Sequence, residues 1–328
     1  MKAFVLEYGE LKIKEMDEPV AGKGEVVVSI RTAGLNRRDL YIPNRRGNDQ
    51  EALILGSDGA GIVEQTGEGV TRFKAGDEVI INPALRWYET MDAPPKGFDI
   101  LGMPDNGTFA EKISISEEQL EKKPAHLTWE EAGVLALSAL TGYRALVTKG
   151  QVQKGNTVFI PGAGSGVATY LIQFAKNIGA KVIVTSRSSE KQKRAMDLGA
   201  DIVLDTNSDW KIGLAYETID LIIDSVGGST FNRALDVLKK GGRIVTFGST
   251  TEDNIQFNLR SFFYGQYQLF GTTMGSRQEL RELIGHMEEY NMHPVVDRTY
   301  SLSEAQEALD YLKEGKQFGK IALHMNDL

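Results

Sequence analysis

Phe159-Ile160-Pro161-Gly162-Ala163-Gly164-Ser165-Gly166-Val167-Ala168 joins a short apolar run to a helical one. Thr157–Ile160 reads as a strand, and Ala168, Leu171, Ile172, Ala175 and Ile178 then return on one face of a helix. The small residues between them let backbone N–H groups approach a ligand, and the positive end of the helix favours an anion. A dinucleotide pyrophosphate needs both, and a large side chain at Ser165 or Gly166 would block it. Gly162-Ala163-Gly164 starts the glycine fingerprint, but its third glycine falls on Val167. Moving the register by one gives Ala163, Ser165 and Ala168, all small, and turns Val167 toward the core. That register is preferred, and it makes Gly162, Ala163, Gly164, Ser165, Gly166 and Val167 the expected pyrophosphate segment.

Working outward, strands read at 157–160, 182–185, 202–204, 220–224, 243–247 and 268–270, with helices clearest at 167–178, 189–198 and 230–238. Short apolar strands alternating with helices require a parallel sheet covered on both faces. The expected fold class is therefore α/β, with a Rossmann doubly wound sheet. At the end of the second strand, where a carboxylate would accept from the ribose hydroxyls of NAD, the chain reads Thr185-Ser186-Arg187-Ser188-Ser189-Glu190-Lys191. A carboxylate would repel a 2′-phosphate, whereas Ser186, Arg187 and Lys191 would hold one, so NADPH is the expected cofactor. The plainer alternative makes Arg187 and Lys191 solvated residues at a helix start.

Upstream, residues 1–125 read as β-rich. Strands at 25–30, 59–64 and 78–81 are punctuated by Gly22, Gly24, Gly67, Gly69 and Gly76, which suggests a barrel-like domain. A long irregular stretch over 82–107 follows, of the kind that carries function or replaces a lost structural element. Thr128-Trp129-Glu130-Glu131 is a capping box opening a helical run to Leu146. Downstream, helices are expected over 277–290 and 303–314, the second opened by a capping box at Ser303-Glu304-Ala305-Gln306, and a last strand over 320–323. The expected divisions are 1–125, 126–270 and 271–328.

Composition removes several function classes. The 328 residues suffice for two domains and contain no cysteine, which rules out thiol nucleophiles, iron–sulfur clusters and thiolate zinc sites. The four histidines, His126, His286, His293 and His324, never stand at the i, i+4 spacing of a helical ligand pair, so no metal site is expected. A net charge of −8 with interspersed signs argues against nucleic acid and anionic membranes as partners. No apolar run is long enough to span a bilayer and the N-terminus has no signal-peptide core, so a cytoplasmic location is expected.

Several stretches together resemble the medium-chain dehydrogenase/reductase superfamily. They are Ala33-Gly34-Leu35-Asn36-Arg37-Arg38-Asp39, Gly56-Ser57-Asp58-Gly59-Ala60-Gly61-Ile62-Val63-Glu64, Gly67-Glu68-Gly69-Val70, Ala75-Gly76-Asp77-Glu78-Val79 and Thr141-Gly142-Tyr143. Asp224-Ser225-Val226-Gly227-Gly228, Phe247-Gly248 and Phe318-Gly319-Lys320 extend the match to the end of the chain. The resemblance implies a GroES-like domain interrupted by the Rossmann domain, with 271–328 returning to the first. Where zinc-bearing members place their catalytic ligands, this chain has Asn36, Ser57 and Leu137, and the 82–107 stretch lacks the structural-zinc cysteines. The pattern is similar to the zinc-free quinone oxidoreductase branch.

That branch implies NADPH-dependent hydride transfer to a quinone or α,β-unsaturated carbonyl compound. Such acceptors need no Lewis acid, only orientation and an oxyanion donor worth about 3 kcal/mol. Asn36 and Tyr41 are the expected catalytic pair near the nicotinamide, although Tyr41 also reads as a packing aromatic. Thr141, Val226, Gly227, Phe247, Gly248 and Lys320 are implied cofactor-site residues; Gly227 and Gly248 also follow strand ends, where open α/β sheets bind ligands. The competing readings are a zinc alcohol dehydrogenase, an enoyl-thioester or alkenal reductase with a basic entrance at Arg37-Arg38 and Arg45-Arg46, and a non-enzymatic NADPH-binding protein. The strand at 268–270 reads as an edge strand, and because relatives pair such edges across a two-fold axis the resemblance implies a homodimer.

Overall fold

The computed structural model describes residues 1–47 and 51–325. The chain forms two compact units, Met1–Leu140 with Gly275–Leu328, and Thr141–Met274. Among the described residues no helix is long and apolar enough to cross a membrane.

In the first unit the strand Glu25–Gly34 is central and runs four residues past the expected 25–30; Val26, Val28 and Ile30 point into the core on a strand's period of two. It pairs antiparallel with Asp58–Thr66, Lys112–Ser116 and Lys320–His324. The last pairing, Ala322 against Gly34 and His324 against Thr32, carries the chain's end back to the first strands. Ahead of this sheet lies a hairpin, Lys2–Glu7 with Glu10–Glu15, that the sequence reading passed over. Its turn residues Tyr8 and Gly9 both have positive φ, as a two-residue turn of this twist requires. The 82–107 stretch holds a short two-stranded ladder, Ala84–Leu85 on Asp99–Ile100, over the fully buried Trp87.

The first unit ends later than residue 125 because the helix Trp129–Gly133 packs directly on the central strand. Two glycines make that contact. A Cβ on Gly34 would stand 2.8 Å from Val134 Cα, and one on Gly133 would stand 2.6 Å from the Thr32 carbonyl. Thr128 and Glu131 form the expected capping box. The helical run beyond is broken, into Ala136–Tyr143 and a wider turn over Arg144–Lys149. The second expected box falls two residues early: Ser301, not Ser303, is capped by Glu304, at the turn preceding the helix Ala305–Glu314.

The second unit is a six-stranded parallel sheet in the order Ile202–Asp205, Lys181–Ser186, Thr157–Ile160, Ile219–Asp224, Leu238–Thr246, Gln268–Gly271. Numbered within the unit this is 3-2-1-4-5-6, the doubly wound order whose switch point lies beside the first strand. All six expected strands are present; the fifth begins at Leu238 instead of 243, because the chain pairs once at Ile219–Leu238 before a register shift. Helices Gly166–Ile178, Ser189–Asp197 and Gly228–Leu235 stand where they were expected. Trp210–Gly213 and Leu259–Gly265 are additional.

Candidate active-site cluster and cofactor cradle

In the second unit the glycine-rich turn leaves the first strand and enters the helix Gly166–Ile178, capped by Ser165 Oγ, which accepts from the Ala168 N–H at 3.1 Å. Gly162 has φ +94°, which strains any residue with a Cβ, and its N–H donates to Thr185 Oγ1 at 3.1 Å. Ala163 and Ala168 are buried, while Val167 is only half-buried and lies against Gly142. The preferred register expected Val167 in the core; the structure gives the inward positions to the two alanines because the helix starts at Gly166.

Lys191 is brought to the same turn. A Cβ on Gly164 would stand 2.8 Å from Lys191 Cδ and 3.2 Å from its Nζ, so the glycine makes room for the lysine side chain to lie across the loop. Ser188 caps the helix Ser189–Asp197 that carries Lys191, Arg187 is exposed, and Ser186 is buried with its hydroxyl accepting from the Ser188 N–H at 3.2 Å. The turn, a helix N-terminus and a cation thus share one end of the sheet, and these residues fit a dinucleotide phosphate.

Val226 and Gly227 follow the fourth strand of this sheet, and Phe247 and Gly248 follow the fifth, so all four stand at the carboxyl edge. Gly227 has a packing reason of its own, since a Cβ there would stand 2.6 Å from Ser249 Oγ and 2.8 Å from the Glu252 carbonyl. Asp224 fixes this corner by accepting from the Gly227 N–H at 3.0 Å and from Thr230 Oγ1 at 2.8 Å. Burial pushes its carboxyl above the usual range. Thr141 is buried, its hydroxyl 3.9 Å from Met274 Sδ.

The first unit holds a buried polar cluster built from residues far apart in sequence. Lys320 is 3% exposed, and its ammonium donates to Leu35 O at 2.8 Å, Asn36 Oδ1 at 2.6 Å, Asp58 Oδ2 at 3.0 Å and Ser138 Oγ at 3.2 Å. The resemblance implied a cofactor contact for Lys320; the structure engages all three of its N–H donors inside this cluster instead. Asp58 also accepts from Asn36 Nδ2 at 2.9 Å and from the Leu137 N–H at 2.6 Å. The Asn36 amide is therefore engaged at both ends, its oxygen by Lys320 and its nitrogen by Asp58 and the Gly34 carbonyl. Tyr41 lies five residues on, 40% exposed, with its hydroxyl accepting from Arg37 Nε at 3.3 Å.

Two neighbours complete the surroundings. Asp39 is fully buried; its Oδ2 accepts from the Asn36 N–H at 2.7 Å, while Oδ1 has no partner among the described residues. Burial raises its carboxyl to about 6 against that hydrogen bond and the nearby Arg38 and Lys320. Arg38 Nη1 donates to Ser57 Oγ at 2.7 Å, and Ser57 in turn donates to the Leu101 carbonyl at 2.7 Å.

Asn36, Ser57 and Leu137, at the positions where the superfamily carries catalytic zinc, do not fit a zinc ion. An amide, a hydroxyl and an alkyl chain are poor donors for it, and an ammonium already holds the Asn36 oxygen. Among the described residues no three His, Asp or Glu side chains converge as metal ligands. A separate cavity of about 440 Å³ in this unit, lined by Ile54, Leu85, Arg86, Tyr88 and Ile113, includes none of the expected site residues. Sequence reasoning placed Arg38 only in a basic entrance, gave Asp58 no role of its own, and passed over Ser138. Arg38 had a signal, a cation two residues after Asn36 in the segment of the metal position; Ser138 had none.

The chain matches two family models: an alcohol dehydrogenase GroES-like domain over residues 22–125 and a zinc-binding dehydrogenase over 166–289. A zinc-type alcohol dehydrogenase-like protein of Leptosphaeria maculans is 32% identical, with 97% of this chain and 95% of the relative covered. Among solved structures, an NAD-dependent alcohol dehydrogenase superposes with a TM-score of 0.92 at 32% identity, covering 99% of this chain and 100% of the other. A 2-octenoyl-CoA carboxylase reductase, in complex with NADP and 2-octenoyl-CoA, superposes with a TM-score of 0.89 at 27% identity, covering 98% and 87%.

Proposed function

The chain belongs to the medium-chain dehydrogenase/reductase superfamily and is an oxidoreductase, and we propose that it is an NADPH-dependent, zinc-independent reductase of quinones or α,β-unsaturated carbonyl compounds. The observation that carries this reading is the cluster around Lys320: its ammonium holds Asn36, which stands where zinc-bearing relatives need a ligand, together with the neighbouring Asp58. Without a Lewis acid a simple alcohol is a poor hydride donor, whereas a conjugated carbonyl already accepts one.

NADPH, when bound, supplies the hydride. The glycine-rich turn from Gly162 to Gly166, with Val167 behind it, offers backbone N–H groups and a helix N-terminus to the pyrophosphate. Arg187 and Lys191 supply the cations for a 2′-phosphate, Ser186 shapes the turn that presents them, and Val226, Gly227, Phe247 and Gly248 form the neighbouring strand ends. Thr141 is assigned to the same cofactor site. Tyr41, exposed and hydroxyl-bearing, is assigned as the donor to the acceptor's oxygen, and Asn36 as a positioning residue that fixes the Arg37–Leu40 turn.

The test follows NADPH oxidation with a small quinone and with an α,β-unsaturated ketone, chelator present throughout, and repeats both with NADH. Turnover with NADPH, at least about tenfold weaker with NADH, is expected. Tyr41→Phe should lower kcat by up to about a hundredfold at unchanged NADPH affinity. Activity abolished by the chelator would refute the zinc-free reading, and equal use of NADH would refute the phosphate site.

A second reading, reduction of an enoyl thioester, is favoured by the likeness to the 2-octenoyl-CoA carboxylase reductase. Turnover of a crotonyl thioester well above that of the free ketone would select it.

A further inference from the structure

Arg38 stands on the short turn Arg37–Leu40, half-buried. One edge of its guanidinium is tied down: Nη1 donates to Ser57 Oγ and to the Leu101 carbonyl, both at 2.7 Å, and Nη2 reaches the Ile100 carbonyl at 3.5 Å. All three acceptors are neutral. Asp39 and Asp58 lie near enough to be felt as charges, yet neither bonds to Arg38: Asp39 Oδ2 accepts from the Asn36 N–H while its Oδ1 has no partner among the described residues, and Asp58 Oδ2 accepts from Lys320. Among the described residues no carboxylate pairs with Arg38, and its Nε–H, which is not sealed from solvent, has no partner.

The setting raises the need for an anion. Burial is the largest effect on the Arg38 cation and disfavours it; the charges of Asp39 and Asp58 offset this only in part, and the like charge of Arg45 adds to it. Residues 37–46 hold four arginines, Arg37, Arg38, Arg45 and Arg46, in a chain whose net charge is −8. Nε and Nη2 together form the side-on fork that matches two oxygens of a carboxylate or phosphate. A guanidinium fixed along one edge holds that fork in place before a ligand arrives, so little side-chain freedom is lost on binding.

We propose that Arg38 is a specificity-determining residue, its Nε–Nη2 edge receiving a carboxylate or phosphate group carried by the acceptor that is reduced. The inference rests on the reductase reading and narrows it to anionic acceptors. Because the group recognised is charged before and after hydride transfer, its recognition acts mainly on KM; a role for Arg38 in stabilising charge that develops at the reacting carbonyl would act on kcat.

The experiment uses three aryl enones of one skeleton, unsubstituted, para-carboxylate and para-phosphate, with the wild-type chain and its Arg38→Met and Arg38→Lys variants. Thermal melts check that each variant folds. The wild type should prefer one anionic enone over the neutral one in kcat/KM by about tenfold or more, through KM, and the better anion identifies the group. Arg38→Met should erase that preference, and Arg38→Lys, a point charge without the fork, should keep only part of it. An equal preference in wild type and Arg38→Met, or an effect confined to kcat, would overturn the proposal. Calorimetric titration of the same enones separates the two readings. Arg38-dependent binding of an anionic enone without turnover would refute the reductase reading and keep Arg38 as an anion site; turnover of all three enones with no dependence on Arg38 would do the reverse.

Discussion

Replacing Asp39 by asparagine tests the energetics of the buried cluster. The Asp39 carboxyl is fully buried and raised from the ordinary 3.8 to about 6, chiefly by desolvation. An acid whose folded pKa lies above its unfolded one binds its proton more tightly when folded. Its contribution to stability is therefore full below the unfolded value and is lost as pH rises through the folded one. At about 1.4 kcal/mol per pH unit, the separation is worth about 3 kcal/mol in full, and about 2 kcal/mol between pH 4.5 and 7. The amide introduced by Asp39→Asn cannot titrate, and its oxygen can still accept from the Asn36 N–H that Asp39 Oδ2 now receives. Urea unfolding of the wild type and Asp39→Asn at pH 4.5, 5.5 and 7 gives the difference between the two proteins, in which the other titrating groups cancel. That difference should move in favour of the variant by about 2 kcal/mol as pH rises, most of it by pH 6. A difference constant with pH would show that Asp39 is ionised throughout, and would refute the account of a desolvated, poorly compensated carboxyl.

Two further outcomes follow from the same physical arguments. Lys320→Met leaves Asp58 charged, buried and short of its cation, and should cost about 3–5 kcal/mol, read as a lower Tm; Lys320→Met with Asp58→Asn should recover more than half of it. Gln268–Gly271 is the terminal strand of the parallel sheet, with Leu269 exposed and Phe263 and Tyr264 exposed on the preceding helix, so we propose a homodimer through this edge. Light scattering should give a dimer mass for the wild type and a monomer mass for Leu269→Lys; a monomeric wild type would refute the assignment.

The second unit was the more legible one, for a physical reason. Strands buried on both faces of a parallel sheet are short apolar runs, and the glycine-rich turn between the first strand and its helix marks the register of the unit. What escaped there was decided by distant partners: Val167 is half-buried because Ala163 and Ala168 already fill the inward positions. In the first unit, residues 25–30 announced themselves as a glycine-bounded apolar run and the capping box announced the helix at Trp129–Gly133, but that this helix belongs to the first unit could not be read from sequence. That packing depends on Gly34 and Gly133 meeting across about a hundred residues of chain, and no local pattern records it. The polar cluster shows the same limit, since Asn36, Asp58, Ser138 and Lys320 converge only when the last strand returns to pair beside Gly34.

On the zinc-free reading proposed above, the convergence bears on how a site built on a metal scaffold works without one. A zinc ion brings charge to its ligands and fixes their orientation. Here orientation comes from hydrogen bonds: Asp58 is held by the Leu137 N–H and Lys320, Asn36 by Asp58 and Lys320, and the following turn by Asp39 through the Asn36 N–H. The cluster's cation is sealed among its acceptors, so it can order the site but not reach an acceptor molecule. Arg38 and Tyr41, like Arg37, remain at least partly open to solvent, Arg38 on the turn that the cluster holds and Tyr41 capping it. A variant that loosens the cluster, such as Lys320→Met, should therefore weaken acceptor recognition along with stability, while a variant at Tyr41 should leave stability untouched. Separate measurement of the Tm and of acceptor KM on those two proteins distinguishes a cluster that orders the site from one that merely fills the core.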